Sequence, residues 1–433
     1  MEFDVDIVIG LIALLVAAYS MVAVRLARWS VSAPFAFLAI GAIIGLSGLD
    51  LFGEHQPDAD LLGQLAELTL ALVLFTAAST IRLKRLETDS SIVLRLLAIG
   101  LPLTIAGGTV LALGLFPGIS IGLALLIGTT LAPTDADLGQ QVITDTSIPA
   151  RVRRILNVES GLNDGIAAPV ITVAIALAAF GDVSGMDPIL DALRELAVAA
   201  VVGIVVGGAG RWLLIRADLR RMTSPSSRQL AALALALGAY FVATGLGASG
   251  FIAAFVAGLA FGLGHKRRVE SAIAFTDGFS TLLSILVWLV FGLIVVGEHV
   301  LGLTDPAVIL YALLSLTVVR MVPVAIAFWG TGFDRVTVAF TGWFGPRGLA
   351  SVVFVLLGLE ALESAGVPSD PLGPVVAWTV ALSVVLHGFS ATPLARWYGR
   401  YSDGLPADAA ERVGEQEPRR AAWQFHERSR TGS

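Results

Sequence analysis

The chain has 433 residues, of which 56% are hydrophobic and 14% charged, and its mean hydropathy is +0.83. Soluble domains carry roughly a quarter charged residues, so this composition excludes the soluble class. The absence of cysteine excludes disulfides, thiolate metal sites and cysteine nucleophiles. The formal net charge of −6 averages a basic face with an acidic one, and no basic tract interleaved with aromatics supports nucleic-acid binding.

The apolar residues come in blocks of roughly 20, the length at which a helix crosses a hydrocarbon core about 30 Å thick. The N-terminus, Met1-Glu2-Phe3-Asp4-Val5-Asp6, is acidic, and no small-residue cleavage site follows the first block, so that block is expected to stay as a span. Reading the blocks between polar breaks predicts about 13 membrane-spanning helices. Their approximate limits are 7–24, 33–49, 61–80, 92–113, 119–141, 156–180, 188–215, 228–246, 249–264, 271–296, 306–329, 336–358 and 373–393. Only the short break from Gly245 to Gly250 parts the eighth from the ninth.

The basic residues test this map. Arg25 and Arg28 fall in one loop, then Arg82, Lys84 and Arg85 with Arg95 in the next alternate one, then Arg151, Arg153 and Arg154. Arg216, Arg220, Arg221 and Arg228 follow, then Lys266, Arg267 and Arg268, then Arg335, then Arg396 and Arg400. The opposite loops carry Asp50, Glu54, Asp58, Asp60, Asp182, Asp187, Glu298, Asp305, Glu363 and Asp370, without Lys or Arg. By the positive-inside rule the N-terminus lies outside and the C-terminus in the cytoplasm, as for a multi-pass protein of a bacterial inner membrane. Residues 396–433 form a short cytoplasmic tail, which from 401 onward is polar and expected to be mostly disordered. The lipid bilayer is then one partner, and no cofactor is expected.

Charges inside spans cost several kcal/mol unless paired or solvated, which makes them functional candidates. Those singled out are Glu67, Asp135, Asp137, Glu159, Asp164, Arg320 and Arg347, while Arg194 and Asp277 sit near span ends where they can snorkel. The fifth span contains Ala132-Pro133-Thr134-Asp135. Pro133 removes a backbone donor and frees carbonyls beside Asp135, which makes a hard-oxygen site for Na⁺ or a similar cation. The twelfth span repeats the device with Gly345-Pro346-Arg347-Gly348, and Arg347 puts a fixed cation where the broken ends would meet. If the seventh span is a linker, Pro133 and Pro346 occupy corresponding spans of two inverted six-span repeats. Paired interrupted helices in inverted repeats point to the midplane site of a secondary transporter.

The sixth span reads Asn157-Val158-Glu159-Ser160-Gly161-Leu162-Asn163-Asp164-Gly165. Ser160 and Asp164 are four apart and share a helix face, so they offer a compact oxygen site for a dehydrated monovalent ion. Asn163 adds an amide but no second titratable group. Glu159 lies too far round the helix to join that site, and Arg320 is the available cation for a buried, structural ion pair.

Taken together, these segments resemble the monovalent cation:proton antiporter-1 family, the sodium/proton exchangers, in its prokaryotic branch. The resemblance covers residues 1–395, and the Glu159–Asp164 segment is its most specific part. It implies an all-α polytopic membrane protein that is not an enzyme, a homodimer with two interrupted crossing helices in each protomer. A dimerisation scaffold is expected in spans about 7–80 and 188–296, and a transport core in spans about 92–180 and 306–393. Asp164 resembles the family's ion- and proton-binding carboxylate, Ser160 a ligand, Thr134 a backbone-carbonyl ligand, and Asp135 a second acidic contact, direct or through water. The implied Na⁺ ligands are therefore Asp164, Asp135, Ser160 and Thr134. Glu159 with Arg320 resembles the family's buried pair, and Glu67 an acidic residue of the third span. Many members have Pro after the Thr-Asp pair, where this chain has Ala136 followed by Asp137. Asp137 either faces a cytoplasmic funnel or is a solvated helix-end residue, and the second reading is preferred.

The expected function is exchange of Na⁺ or Li⁺ for H⁺, with cation and proton alternating at Asp164. The non-titratable Asn163 suggests an electroneutral one-for-one exchange. A K⁺/H⁺ or broadly selective monovalent cation antiporter is the alternative. A channel would need a carbonyl filter or acidic rings, which are not seen. An intramembrane aspartyl protease using Asp135 and Asp164 is disfavoured, because Asp135 sits on an interrupted helix without a Gly-x-Gly-Asp segment. His387, in the last span, reads as a hydrogen-bonded packing residue.

Overall fold

A computed structural model describes residues 5–28, 31–46, 59–81, 86–181, 187–263, 266–293, 305–406 and 408–412. Among these residues there is no strand. The helices are α1 (Val5–Arg28), α2 (Ala33–Leu46), α3 (Ala59–Thr80), α4 (Leu86–Arg95), α5 (Leu101–Leu115), α6 (Ile121–Thr130), α7 (Gln140–Thr144), α8 (Ala150–Phe180) and α9 (Asp187–Leu219). They continue as α10 (Pro225–Gly245), α11 (Gly250–Gly262), α12 (Lys266–Phe291), α13 (Pro306–Leu316), α14 (Val318–Ala327), α15 (Arg335–Trp343), α16 (Leu349–Ser364) and α17 (Leu372–Asp403). Helix lies on each of the expected spans. Among the described residues, nine helical stretches are long and apolar enough to cross a membrane, and Ala33–Gly45, Ile121–Thr130 and Gly250–Gly262 are shorter apolar helices. The chain is thus an all-helical, multi-pass membrane protein.

Four of the expected spans are interrupted, and proline accounts for three of the interruptions. Pro102 lacks the donor an α-helix needs one turn upstream, and the chain widens into a π-helical turn, Leu96–Gly100, between α4 and α5. Pro133 falls in the unwound stretch between α6 and α7, and Pro346 in the one between α15 and α16. The remaining interruption, at Thr317 between α13 and α14, is one residue long. By contrast α8 runs for 31 residues, about 46 Å at 1.5 Å per residue, which exceeds the hydrocarbon thickness. Its Arg151, Arg153 and Arg154 therefore lie at the extended end, beyond the apolar stretch.

Helix association in lipid depends on close backbone approach, because the apolar effect that drives packing in water is absent. On α11, Gly258 and Gly262 are four apart and press on the backbone of Phe75 and Ser79 of α3. The opposite face of α11 presents Ala253 and Ala257 to Gly203 and Gly207 of α9. These contacts place α11 between α3 and α9, next to the middle of α8.

The last span was expected to end at 393, but α17 continues to Asp403 and a 3₁₀ turn, Ala410–Arg412, follows. This start of the tail is packed down. The buried Glu411 carboxylate accepts the Asp334 N–H at 2.8 Å, and Arg151 donates to the Ala410 carbonyl. The expected disorder beyond residue 412, the span ends at 47–49 and 294–296, and several loop charges (Asp50, Arg82 and Glu298 among them) lie outside the described residues.

Candidate functional site

The two proline-broken segments meet face to face. Asp135 N–H donates to the Pro346 carbonyl at 2.8 Å, and Arg347 Nη1 donates to the carbonyls of Ala132 at 2.8 Å and Pro133 at 3.2 Å. The freed carbonyls at the C-terminal end of α6 thus face a buried guanidinium, which offsets the negative end of the helix dipole. Arg347 Nε and Nη2 have no hydrogen-bond partner among the described residues.

Asp135 is bound more fully than its spacing alone suggests. Its Oδ1 accepts N–H groups of Asp137 at 2.7 Å and Leu138 at 3.1 Å, closing its own turn. Its Oδ2 accepts the Leu349 N–H at 2.9 Å, which caps the start of α16 from across the crossing. This cap needs glycine at 348, where a Cβ would run into the Asp135 carboxylate. Gly348→Ala is therefore expected to push Asp135 off Leu349 and cost about 1–3 kcal/mol through the orphaned N–H. Thermal denaturation of the purified variant checks this, and an unchanged melting temperature would contradict the close approach.

From α8, Ser160 and Asn163 reach the same crossing. Thr134 Oγ1 is 2.9 Å from Ser160 Oγ and accepts from Asn163 Nδ2 at 2.7 Å, so the Thr134 side chain is tied to α8. Asn163 Oδ1 and Asp164 Oδ1 are buried without a hydrogen-bond partner among the described residues. One face further round α8, Glu159 forms a two-pronged ion pair with Arg320, at 2.6 Å and 2.8 Å, and both side chains are 3% exposed. The Arg320 guanidinium lies against Gly345, so the pair also braces the second break.

A cavity of about 470 Å³ leads to this cluster, lined by Asp135, Asp137, Asn157, Ser160 and Asp164 on one wall. Its other wall includes Asp277, Ser280, Thr281 and Ser284 of α12. It reaches Gln140, Ser32 and Ile81, the last two close in sequence to Arg28 and Arg82. Asp137 is exposed on its wall. Glu67 is not brought to this cavity. It accepts the Tyr240 hydroxyl and lines a second cavity of about 520 Å³ with Glu195, Glu360 and Ala168. Asp164 lines the first cavity and Ala168, one turn on, the second; between them the Phe255 ring packs onto Gly165 so tightly that a Cβ there would overlap it.

Sequence reading missed Asp277, set aside as a snorkelling residue. The Asp277, Ser280, Thr281 and Ser284 spacing is a one-face polar stripe on an apolar helix, and that signal could have found it.

The comparisons with known proteins agree with this architecture. Residues 10–397 match the family described as "Sodium/hydrogen exchanger, transmembrane". The chain is 27% identical over 397 residues to the K(+)/H(+) antiporter NhaP of Alkalimonas amylolytica, covering 90% of this chain and 66% of that protein. It is 26% identical over 343 residues to the Na(+)/H(+) antiporter 2 of Zygosaccharomyces rouxii, covering 69% and 41%. The chain thus spans less than two thirds of the length of either relative. Among solved structures, the sodium proton antiporter MjNhaP1 of Methanocaldococcus jannaschii superposes with a TM-score of 0.72 at 21% identity, over 96% of this chain and all of that one. That likeness shows a shared fold, and the match over residues 10–397 shows the family. The chain belongs to the sodium/hydrogen exchanger family.

Proposed function

We propose that this chain is a secondary active transporter that exchanges a monovalent cation for protons, with Asp164 as the carboxylate for which both compete. The observation that carries the reading is the buried Asp164 oxygen without a hydrogen-bond partner among the described residues, at a cavity wall beside two crossed, interrupted helices. A carboxylate already satisfied by the protein has little to offer a cation, and Asp135, with three backbone donors, is nearer that condition. Asp164 is then the exchanging group, Ser160 and the Thr134 carbonyl the additional oxygen ligands, and Asp135 a shaping charge that contacts the ion directly or through water. Asn163 fixes Thr134 and adds no titratable group, which supports a one-for-one electroneutral cycle.

Alternating access is the motion of a core (spans 92–180 and 306–393) against a scaffold (7–80 and 188–296) in a homodimer. The cavity, lined by Ser32 and Ile81 near Arg28 and Arg82 in sequence, is the cytoplasmic entrance, with the N-terminus outside and the C-terminus inside a bacterial plasma membrane. The tight Gly165–Phe255 contact closes the other side. Na⁺ or Li⁺ is the proposed cargo. K⁺ is the rival, favoured by the K(+)/H(+) name of the Alkalimonas relative.

Purified protein in liposomes with an interior pH dye tests the function. A pH gradient should collapse on addition of the transported cation, equally with and without a clamped membrane potential. No collapse with Na⁺, Li⁺ or K⁺ across a range of pH would remove the assignment. The same assay examines Asp277, which adds negative charge to the entrance of a cation path. Asp277→Asn is expected to raise the apparent KM for the cation about two- to fivefold, more at low than at high ionic strength, with little change in maximal rate. An unchanged KM at low salt would remove Asp277 from the path.

A further inference from the structure

The second break, between Trp343 and Leu349, leaves orphaned backbone groups at membrane depth that water cannot satisfy. A polar stripe on α17 meets them. Ser383 Oγ accepts the Arg347 N–H at 2.7 Å, at the downstream end of the break. His387 Nε2 lies 2.8 Å from the Trp343 carbonyl, at the upstream end, as a second partner beside the Gly345 N–H at 2.8 Å. One turn on, Ser390 Oγ accepts from Trp343 Nε1 at 2.9 Å, and the Trp343 and His387 rings stack with centroids 5.0 Å apart. Ser383, His387 and Ser390 are spaced by four and three residues, so they lie on a single face of α17. Ser383 and His387 are also joined, since Nδ1 lies 3.2 Å from Ser383 Oγ and 2.9 Å from the Ser383 carbonyl. The neutral tautomer protonated at Nε2 accepts a hydrogen bond from the Ser383 hydroxyl at Nδ1 and donates Nε2–H to the Trp343 carbonyl, and an imidazolium donates to both carbonyls. Either species keeps the bond across to α15.

We infer that Ser383 and His387 are positioning residues for exchange: together they clamp both ends of the second break, and through Arg347 they set the crossing at which the ion binds. The chain of contacts is continuous. Ser383 fixes the Arg347 backbone, the Arg347 guanidinium holds the Ala132 and Pro133 carbonyls, and the next residues are Thr134 and Asp135. A break free to rewind would withdraw Arg347 from those carbonyls. The inference rests on the proposed antiport at Asp164, and neither Ser383 nor His387 lines the cavity that Asp164 lines.

The test measures cation-dependent collapse of a pH gradient in liposomes holding wild type, Ser383→Ala, Ser383→Thr, His387→Phe, His387→Gln and the double variant Ser383→Ala with His387→Phe. Phe keeps an aromatic ring to stack on Trp343, slightly larger than imidazole, but no hydrogen bond, while Gln restores a donor and Thr a hydroxyl. The clamp predicts that Ser383→Ala lowers exchange about tenfold, the size expected from the buried Arg347 N–H left unpaired, and that His387→Phe lowers it about threefold, since the Trp343 carbonyl keeps the Gly345 N–H. Ser383→Thr and His387→Gln should recover most of the rate, and the double variant should be no worse than about twofold below the weaker single one, because both act on one unit. Exchange by His387→Phe and Ser383→Ala at the wild-type rate would overturn the clamp, as would losses that multiply in the double variant. Failure of wild type itself to exchange any cation would count against the antiport reading instead. Should His387→Phe fail to yield monodisperse protein, Ser383→Ala against Ser383→Thr carries the comparison alone.

Discussion

Replacing Asp164 with Asn is expected to reduce cation-dependent proton movement by about a hundredfold or more, to the leak rate of protein-free liposomes. A dehydrated cation about 4 Å from a carboxylate gains roughly 4 kcal/mol at an effective dielectric near 20, and each ~1.4 kcal/mol is a factor of ten. Asn keeps the shape and one oxygen but neither the charge nor the exchangeable proton, so both halves of the cycle fail together. Folding should survive, because Asp164 Oδ1 has no hydrogen-bond partner among the described residues to lose. The checks are the liposome assay and a melting curve on the same preparation. Normal exchange by Asp164→Asn would place the site elsewhere, and the crossing at Thr134 and Asp135 would be the next region to search.

The second large effect concerns stability. Glu159 and Arg320 pair through both oxygens in a site almost closed to solvent, and Arg320 also supports Gly345 in the second break. Removing one partner strands a buried charge, at a cost of about 3–5 kcal/mol. Arg320→Gln and Glu159→Gln are each expected to lower the melting temperature sharply or to abolish monodisperse expression. The double variant carries no stranded charge and should recover much of the loss. If the pair is structural, the double variant also still exchanges cations. Single variants as stable as wild type would show that the pair is screened rather than buried. A stable double variant without exchange would give the pair a direct part in transport.

The layout of spans was legible because the bilayer imposes a length and a charge asymmetry that a sequence cannot hide. Helix lies on each expected apolar block, and the breaks at Pro133 and Pro346 follow from the missing N–H. Within one helix, spacing was also sufficient, as with Ser160 and Asp164 on a single face of α8. What spacing cannot supply is which faces of different helices meet. Asp277 looked like a helix-end residue until α12 was seen to form the far wall of the cavity. Glu67 read as an acidic residue of the third span, and only the packing shows that it meets Tyr240 and lines the other cavity. Asp135 read as a second acidic contact, direct or through water, and no spacing announced the backbone donors it meets from two segments far apart in the chain. The helical length of α17 was underestimated because apolarity ends at the membrane surface, whereas its hydrogen bonding continues to Asp403. The contacts of Glu411 then depend on a pairing with Asp334 that no local pattern encodes.

The central claim is that one carboxylate serves cation and proton in turn, and its most direct test is the cation dependence of exchange at a series of pH values. Competition at a single site predicts that the apparent KM for the cation rises as pH falls, approaching tenfold per pH unit once protons occupy the site. The maximal rate at saturating cation should stay constant over that range. A maximal rate that falls with pH while KM holds steady would contradict the claim, because it would place the proton on a group that the cation does not displace.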